Sequence, residues 1–212
     1  MELPDLNHKK IQRIMRDYGM RAAIRRTNPY LKLQKKTPEH AVHPNVLARE
    51  FTQVVPFAYL STDVTYLRFL AGFAYLSVVK DIATGEVLAW NVTLEPSIRL
   101  VLNTMEPLAA HRGALIHSDQ GFQYTSPIYS AKLRAFGMIQ SMSRKGHCTD
   151  NAPIESFFGH MKDELEYKHC KNLEELRGVI DAYMRYYNCE RKQWQRKKMT
   201  PVAYRNHLLS GR

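Results

Sequence analysis

Cysteine is scarce in this chain. Its three thiols, Cys148, Cys170 and Cys189, are odd in number and widely spaced over 212 residues, which excludes the disulfide framework of a small secreted protein. His147-Cys148 and His169-Cys170 invite a zinc reading, but no C-x-x-C or H-x-x-x-H spacing accompanies them, so they read as free thiols of a reducing compartment. Long apolar runs are missing as well: none approaches the roughly 18–20 residues of a membrane span. The opening MELPDLNHKKIQRIMRDYG lacks the apolar stretch of a signal peptide. The expectation is a cytoplasmic protein with no membrane partner. No G-x-S-x-G and no Cys/His signature marks a side-chain nucleophile, and neither an internal repeat nor a low-complexity tract is present. Hydrophobic content of 44% with 24% charged residues excludes disorder and fibres, and leaves one good core with room for a small appended module.

Positive charge is abundant, at +11 net, and it is segregated. Residues 1–49 carry 11 Lys/Arg against 4 Asp/Glu, residues 185–212 carry 8 against 1, and the stretch between them carries 12 against 15. Two basic arms around an acidic centre suit arms that meet a polyanion, nucleic acid above all, while the centre collects carboxylates for metal.

The pattern along the chain divides it into a short helical, basic segment (1–36), a linker (37–49) and a main domain (50–212). Residues 7–18 place Ile11, Ile14, Met15 and Tyr18 on one stripe, with Asn7 as cap and Gly19 as stop, which predicts an amphipathic helix. The basic run MRAAIRRTNPYLKLQKK then serves either phosphate contact or a solvated tether. From residue 57 the period changes. FAYLSTDVTYL, GFAYLSVVKD and EVLAWNVTL read as three strands, the last two joined by IATGE. A helix over 97–111, a strand over 114–119, a helix from Ser126 to Gly137 and a strand over 138–142 follow. A polar loop (143–152) leads to a helix with Ile154, Phe157, Phe158, Met161 and Leu165 on its core side, and a last helix covers 173–188. This order describes an α/β fold, a mixed sheet with helices on both faces.

Three acids stand out by position: Asp63 within the first strand, Asp119 closing the fourth, and Glu155 opening the helix after the loop. If the first and fourth strands are neighbours, all three reach one spot, with side-chain oxygens within roughly 4–8 Å, and their mutual repulsion calls for a hard divalent cation, Mg²⁺ or Mn²⁺. Two such ions clamp the attacking and leaving oxygens of a phosphoryl displacement, which needs no side-chain nucleophile. On the same helix Glu155 and Lys162 share a stripe with Gly159 between them. Seven residues put them about 10 Å apart along the axis, too far for an ion pair. The stripe reads as a surface with a cation at one end and an anionic substrate at the other. The alternatives are an exposed helix cation at Lys162 and a glycine chosen for helix packing at 159.

STDVTYL, LIHSDQGFQYTS and SRKGHCTDNAPIESFFGHMKDEL, with 35 residues between Asp119 and Glu155, resemble the catalytic core of insertion-sequence transposases of the IS-three group, and more distantly that of retroviral integrases. YNCERKQWQRKKMTPVAYR is similar to the segment closing that core, so the resemblance spans about residues 50–205. It implies a ribonuclease-H-like fold on a five-stranded mixed sheet, with an Asp-Asp-Glu metal site at Asp63, Asp119 and Glu155 holding two Mg²⁺ or Mn²⁺ ions. It further implies DNA cleavage at element ends and joining of a freed 3′-hydroxyl to target DNA, by a homo-oligomer on DNA, in the bacterial cytoplasm. Lys162 matches the family's basic position two turns beyond the glutamate, which touches element-end DNA. The loop 143–152 becomes a mobile flap with Arg144 and Lys145 toward DNA, its alternative being a solvated connector. Full-length members carry a complete helix-turn-helix upstream of the core, whereas here NHKKIQRIMRDYGMRAAIRR matches only its closing part. The expectation is a second-frame product working with the first-frame product of its element, or a shortened copy. Simple nuclease action and a non-catalytic DNA-binding remnant are the alternatives.

Overall fold

The structure, a computed structural model, describes residues 7–20, 41–144 and 148–211. The chain falls into two units, Met1–Lys35 and Lys36–Arg212. In the first, α1 (His8–Asp17) starts where Asn7 accepts a hydrogen bond from the Lys9 N–H at 3.0 Å, and Gly19 behind it adopts φ +62°. The basic run after Met20 lies outside the described residues, and no described helix is long and apolar enough to cross a membrane.

The second unit is built on a five-stranded sheet in the order β3-β2-β1-β4-β5, formed by β1 (Tyr59–Phe69), β2 (Gly72–Asp81), β3 (Val87–Thr93), β4 (Leu115–Ser118) and β5 (Ile139–Met142). β1, β2 and β3 make an antiparallel meander, while β4 runs parallel to β1, and β5 parallel to β4. The first and fourth strands are therefore neighbours, as the grouping of Asp63 with Asp119 requires.

Both faces of the sheet are covered, because side chains alternate along each strand. On one face Leu67, Leu76, Val78 and Val92 pack against α4 (Ala152–Glu164) and α5 (Leu173–Cys189). On the other, Leu60, Val79, Ala89 and Ile116 meet Val101 and Met105 of α2 (Ile98–Met105) and Tyr129 and Leu133 of α3 (Pro127–Ala135). α3 starts as its sequence predicts, with Ser126 accepting from the Ile128 N–H and Pro127 in the first turn, where a missing N–H costs nothing. The helix predicted over 97–111 is shorter than expected. α2 stops at Met105 and tightens into a 3-10 turn, Glu106–Leu108, because Pro107 has no N–H to continue the ladder.

Two further differences have plain physical causes. Residues 41–49 fall within the predicted linker but lie against the core. Leu47 is buried with Ile82 and Leu115, and the N–H groups of Val46 and Leu47 both donate to the Ser141 hydroxyl. A sixth helix that the sequence reading left unassigned, α6 (Pro201–Ser210), packs on α5. Thr200 caps it, and Arg205 donates to both carboxylate oxygens of Glu86 at 2.6 and 2.8 Å.

Helix α4 is seated by Ile154, Phe157, Phe158 and Met161, all buried, with the Phe157 ring edge-on to Tyr187 at 4.8 Å. Phe157→Ala should therefore cost about 3–5 kcal/mol, measured as unfolding free energy in urea. A loss below about 1 kcal/mol would mean that this face does not anchor the helix.

Candidate active site

Strand register brings the first two acids together. Ser61 of β1 pairs with His117 of β4, and two residues further along each parallel strand stand Asp63 and Asp119. A shift of two preserves the face, so both belong to the side covered by α4 and α5. Their carboxyl groups are oriented by the backbone. Asp63 Oδ1 accepts from its neighbour Val64 N–H at 2.7 Å, and Asp119 Oδ1 from Gly121 N–H at 2.8 Å. The second contact leaves no room for a side chain at 121, where a Cβ would come within 2.8 Å of that same oxygen.

Glu155, exposed in the first turn of α4, completes the group electrically. Burial first, and then the charges of Asp119 and Glu155, push the Asp63 carboxyl well above the usual range, against the Val64 N–H and the charge of Lys162, which lower it. Asp119 is raised by burial, and Glu155 by burial and by the charge of Asp119. Each pair of the three thus interacts repulsively, and the cations nearby offset this only in part. The donor set is all hard oxygen and suits a divalent cation. Among the described residues no three His, Cys, Asp or Glu side chains stand close enough to hold a metal ion as they are.

The stripe of α4 resolves differently at Lys162 and at Gly159. Lys162 Nζ donates to Thr65 Oγ1 at 2.6 Å and stands 5.1 Å from the centre of the Tyr66 ring, so its ammonium is held over β1 rather than on Glu155. Gly159 is exposed, and a Cβ added there would meet nothing within 4 Å. Packing within this chain gives no reason for a glycine in the middle of that helix.

The loop before α4 is tied at both described ends. Asp150, buried, accepts from Arg49 Nε at 2.5 Å, from Asn45 Nδ2 at 3.0 Å and from the Arg144 N–H and Nε at 3.1 and 3.4 Å. Burial alone would raise that carboxyl, but these donors hold it well below its ordinary value. Arg144 is exposed and joined to Asp150, and Lys145 lies outside the described residues. On the strand side, buried His117 bridges the hydroxyls of Ser141 at 2.9 Å and Ser143 at 3.1 Å, and burial lowers it to about 4, which keeps it neutral. Asn151 Nδ2 donates to the Thr62 carbonyl at 3.3 Å, fastening the start of α4 beside Asp63. The sequence reading missed Asp150, Asn151 and His117 as organisers of the site. Their adjacency to Glu155 and Asp119 was the available signal.

Comparison with known proteins places this geometry in context. The family described as integrase core domain matches residues 54–148, and a second family of the same description matches 155–209. A transposase-like protein of Haemophilus influenzae is 38% identical over 97% of this chain and 95% of its own length. Transposase InsF for insertion sequence IS3A of Escherichia coli is 30% identical over 96% of this chain and 72% of its own. Among solved structures, the HTLV-2 integrase catalytic core domain in complex with magnesium superposes with a TM-score of 0.54 at 16% identity, over 71% of this chain and 97% of that one. At that identity the likeness shows the fold.

Asp63 gives a pH test of the group. Its folded value lies above its unfolded one, so the ionised form costs stability. That cost is absent below the unfolded value of about 3.9 and complete above the folded one. In EDTA at pH 7, Asp63→Asn should melt at a higher temperature than the parent, with the gain shrinking as pH falls toward about 4. A variant that melts lower at pH 7 would refute the repulsion.

Proposed function

We propose, from the premise that this chain belongs to the insertion-sequence transposases of the IS-three group with an integrase core domain, that it is an Asp-Asp-Glu transposase. On this reading it cleaves DNA at element ends and transfers the strand to a target. The family carries transposition as its function and polynucleotidyl transfer as its general activity. The finer reading rests above all on one observation, the β1–β4 register that sets Asp63 and Asp119 side by side at the start of α4, where Glu155 stands.

Asp63, Asp119 and Glu155 would hold two Mg²⁺ or Mn²⁺ ions, and the HTLV-2 integrase core of the same fold is itself a complex with magnesium. When bound, such ions supply charge stabilisation to the attacking and leaving oxygens of a phosphodiester. The protein's own contribution is placement. The Val64 and Gly121 N–H groups fix the two aspartates, Asn151 and the apolar side of α4 set the helix beside them, and Thr65 holds Lys162 over the strand. In strand transfer a 3′-hydroxyl attacks a target phosphorus, a new P–O bond forms, and the old 3′-oxygen leaves with its electron pair. Lys162 steadies a backbone phosphate of the element end, with Arg144 and Lys145 contributing from the loop. A homo-oligomer assembled on DNA, aided by the first-frame product of the element, is the working form on this reading.

The decisive assay incubates the protein with labelled element-end DNA and Mg²⁺ and compares Asp119→Asn. Joined products should fall more than about 100-fold, since even the outer partners of metal ligands cost 10–100-fold when removed. Nicks without joining would indicate a nuclease, and binding without either a non-catalytic remnant. Binding alone decides nothing, because any basic protein shows it with steep salt dependence.

Gly159→Ala tests the stripe. The free protein should gain about 0.5–1 kcal/mol of stability from better helix propensity, while affinity for element-end DNA falls, because the added methyl group obstructs the approaching backbone. Unchanged affinity would remove Gly159 from the DNA-facing surface.

A further inference from the structure

A cavity of about 300 Å³ lies beside the first turn of α4, bounded by Lys80, Pro153, Ser156, Tyr187, Gln193 and Arg196. Its polar groups are mostly donors. Lys80 is only 6% exposed, and its ammonium donates to the Pro153 carbonyl at 3.1 Å between the rings of Phe157 and Tyr187, at 5.6 and 5.9 Å. Arg196 gives one nitrogen to Gln193 Oε1 at 2.6 Å and another to the Ile82 carbonyl at 3.4 Å, and its buried Nε has no acceptor. Gln193 is 8% exposed, and its Nε2, which acts on the neighbouring Tyr187 hydroxyl, makes no hydrogen bond of good geometry.

Neither cation has a carboxylate partner among the described ion pairs. The acid that acts on both is Asp81, whose carboxyl is occupied by the Thr84 N–H and hydroxyl and by the Phe57 N–H. Burial, with the charges of Arg196 and Arg191, pulls the Lys80 ammonium down to about 7, and burial lowers Arg196 as well. Two desolvated cations facing one cavity are costly unless an anion joins them. Gly85, at φ +73°, makes the arrangement possible, since a Cβ there would come within 2.5 Å of the Arg196 guanidinium carbon.

We propose that this cavity is a binding site for one phosphate group, clasped by Lys80, Arg196 and the Gln193 amide. It is distinct from the carboxylate group, although Ser61 links them across the sheet, paired with Lys80 on one side and His117 on the other. A DNA phosphodiester is the source favoured by the neighbourhood. Trp194, between two residues that line the cavity, is 80% exposed with Lys198 Nζ 4.5 Å from its ring, a surface on which a nucleobase can stack. That choice of source rests on the proposed function, whereas the phosphate site does not.

The test uses the full chain in two arms. In the first, the melting temperature is followed against inorganic phosphate at constant ionic strength, with chloride as reference. The parent should show a saturable rise that Lys80→Met and Arg196→Gln each abolish. Two variants guard against one failing to fold, and circular dichroism verifies both. An equal rise in parent and folded variants, or none in the parent, overturns the site. In the second, affinity for a DNA duplex is measured against salt. A slope smaller by about 0.9 in each variant identifies a DNA phosphate as the ligand. An unchanged slope, with phosphate protection lost, assigns the site to a free phosphate and leaves transposition untouched. Loss of strand transfer in Asp119→Asn with the phosphate response intact separates failure of either reading from the other.

Discussion

The pairing of Ser61 with His117 across β1 and β4 is the constraint on which the site depends. Parallel strands march in the same direction, so equal steps from that pair carry Asp63 and Asp119 to the place where the β1–β4 pairing ends and to one face of the sheet. A one-residue slip would send one aspartate to the opposite face, among Leu60, Ile116 and Tyr124, where nothing could balance its charge. The register is protected by what surrounds it. Leu60 and Ile116 bury on the far side, while Ser61 and His117 are packed on the near side, His117 spending both ring nitrogens on hydroxyls from β5 and the residue after it.

Helix α4 then performs three tasks with three stripes. Its apolar stripe seats it on the sheet, Glu155, Gly159 and Lys162 form the stripe beside the aspartates, and its first turn lines the basic cavity. This economy explains why the segment before it is so heavily fastened. Asp150 gathers Asn45, Arg49 and Arg144, and Asn151 holds the Thr62 carbonyl, so the helix begins at a defined point relative to β1. A looser start would move all three stripes at once.

Much of this was legible in the sequence, and the reason is periodicity. The alternation in FAYLSTDVTYL and GFAYLSVVKD, the Ser-Pro start of α3 and the apolar spacing through α4 each follow from local rules, and those elements formed where expected. The three acids stood out by their positions at the ends of predicted elements, and the family resemblance added the role proposed for them. What stayed hidden depended on distant partners. Leu47 looked like linker because it follows Pro38 and Pro44 in a polar stretch, yet it fills a gap beside Ile82 and Leu115. Arg144 looked free because its acceptor, Asp150, reads as a polar loop residue. Pro107 was tolerated on paper but shortened α2 by its missing N–H. Lys80 gave no signal, since a lysine near a strand end normally reaches water. α6 has little separation of apolar and polar faces and carries one buried residue, Pro201, so pattern alone could not find it.

Opposite charges are kept apart within the folded core as well. Lys80 and Asp63 lie on the same face of neighbouring strands, Lys80 opposite Ser61 and Asp63 opposite Val78, only two residues apart along the sheet. Pairing them would relieve both, since burial raises the acid and lowers the base. The fold declines that pairing. Lys80 is drawn to the Pro153 carbonyl and shares its cavity with Arg196, whereas Asp63 shares its surroundings with Asp119, Glu155 and Lys162. A protein selected for stability alone would gain from merging the two groups, because an unpaired buried charge costs far more than a paired one. Keeping them apart leaves one group seeking a cation and the other seeking an anion. On the proposed function, a phosphodiester bound together with a divalent cation meets both demands.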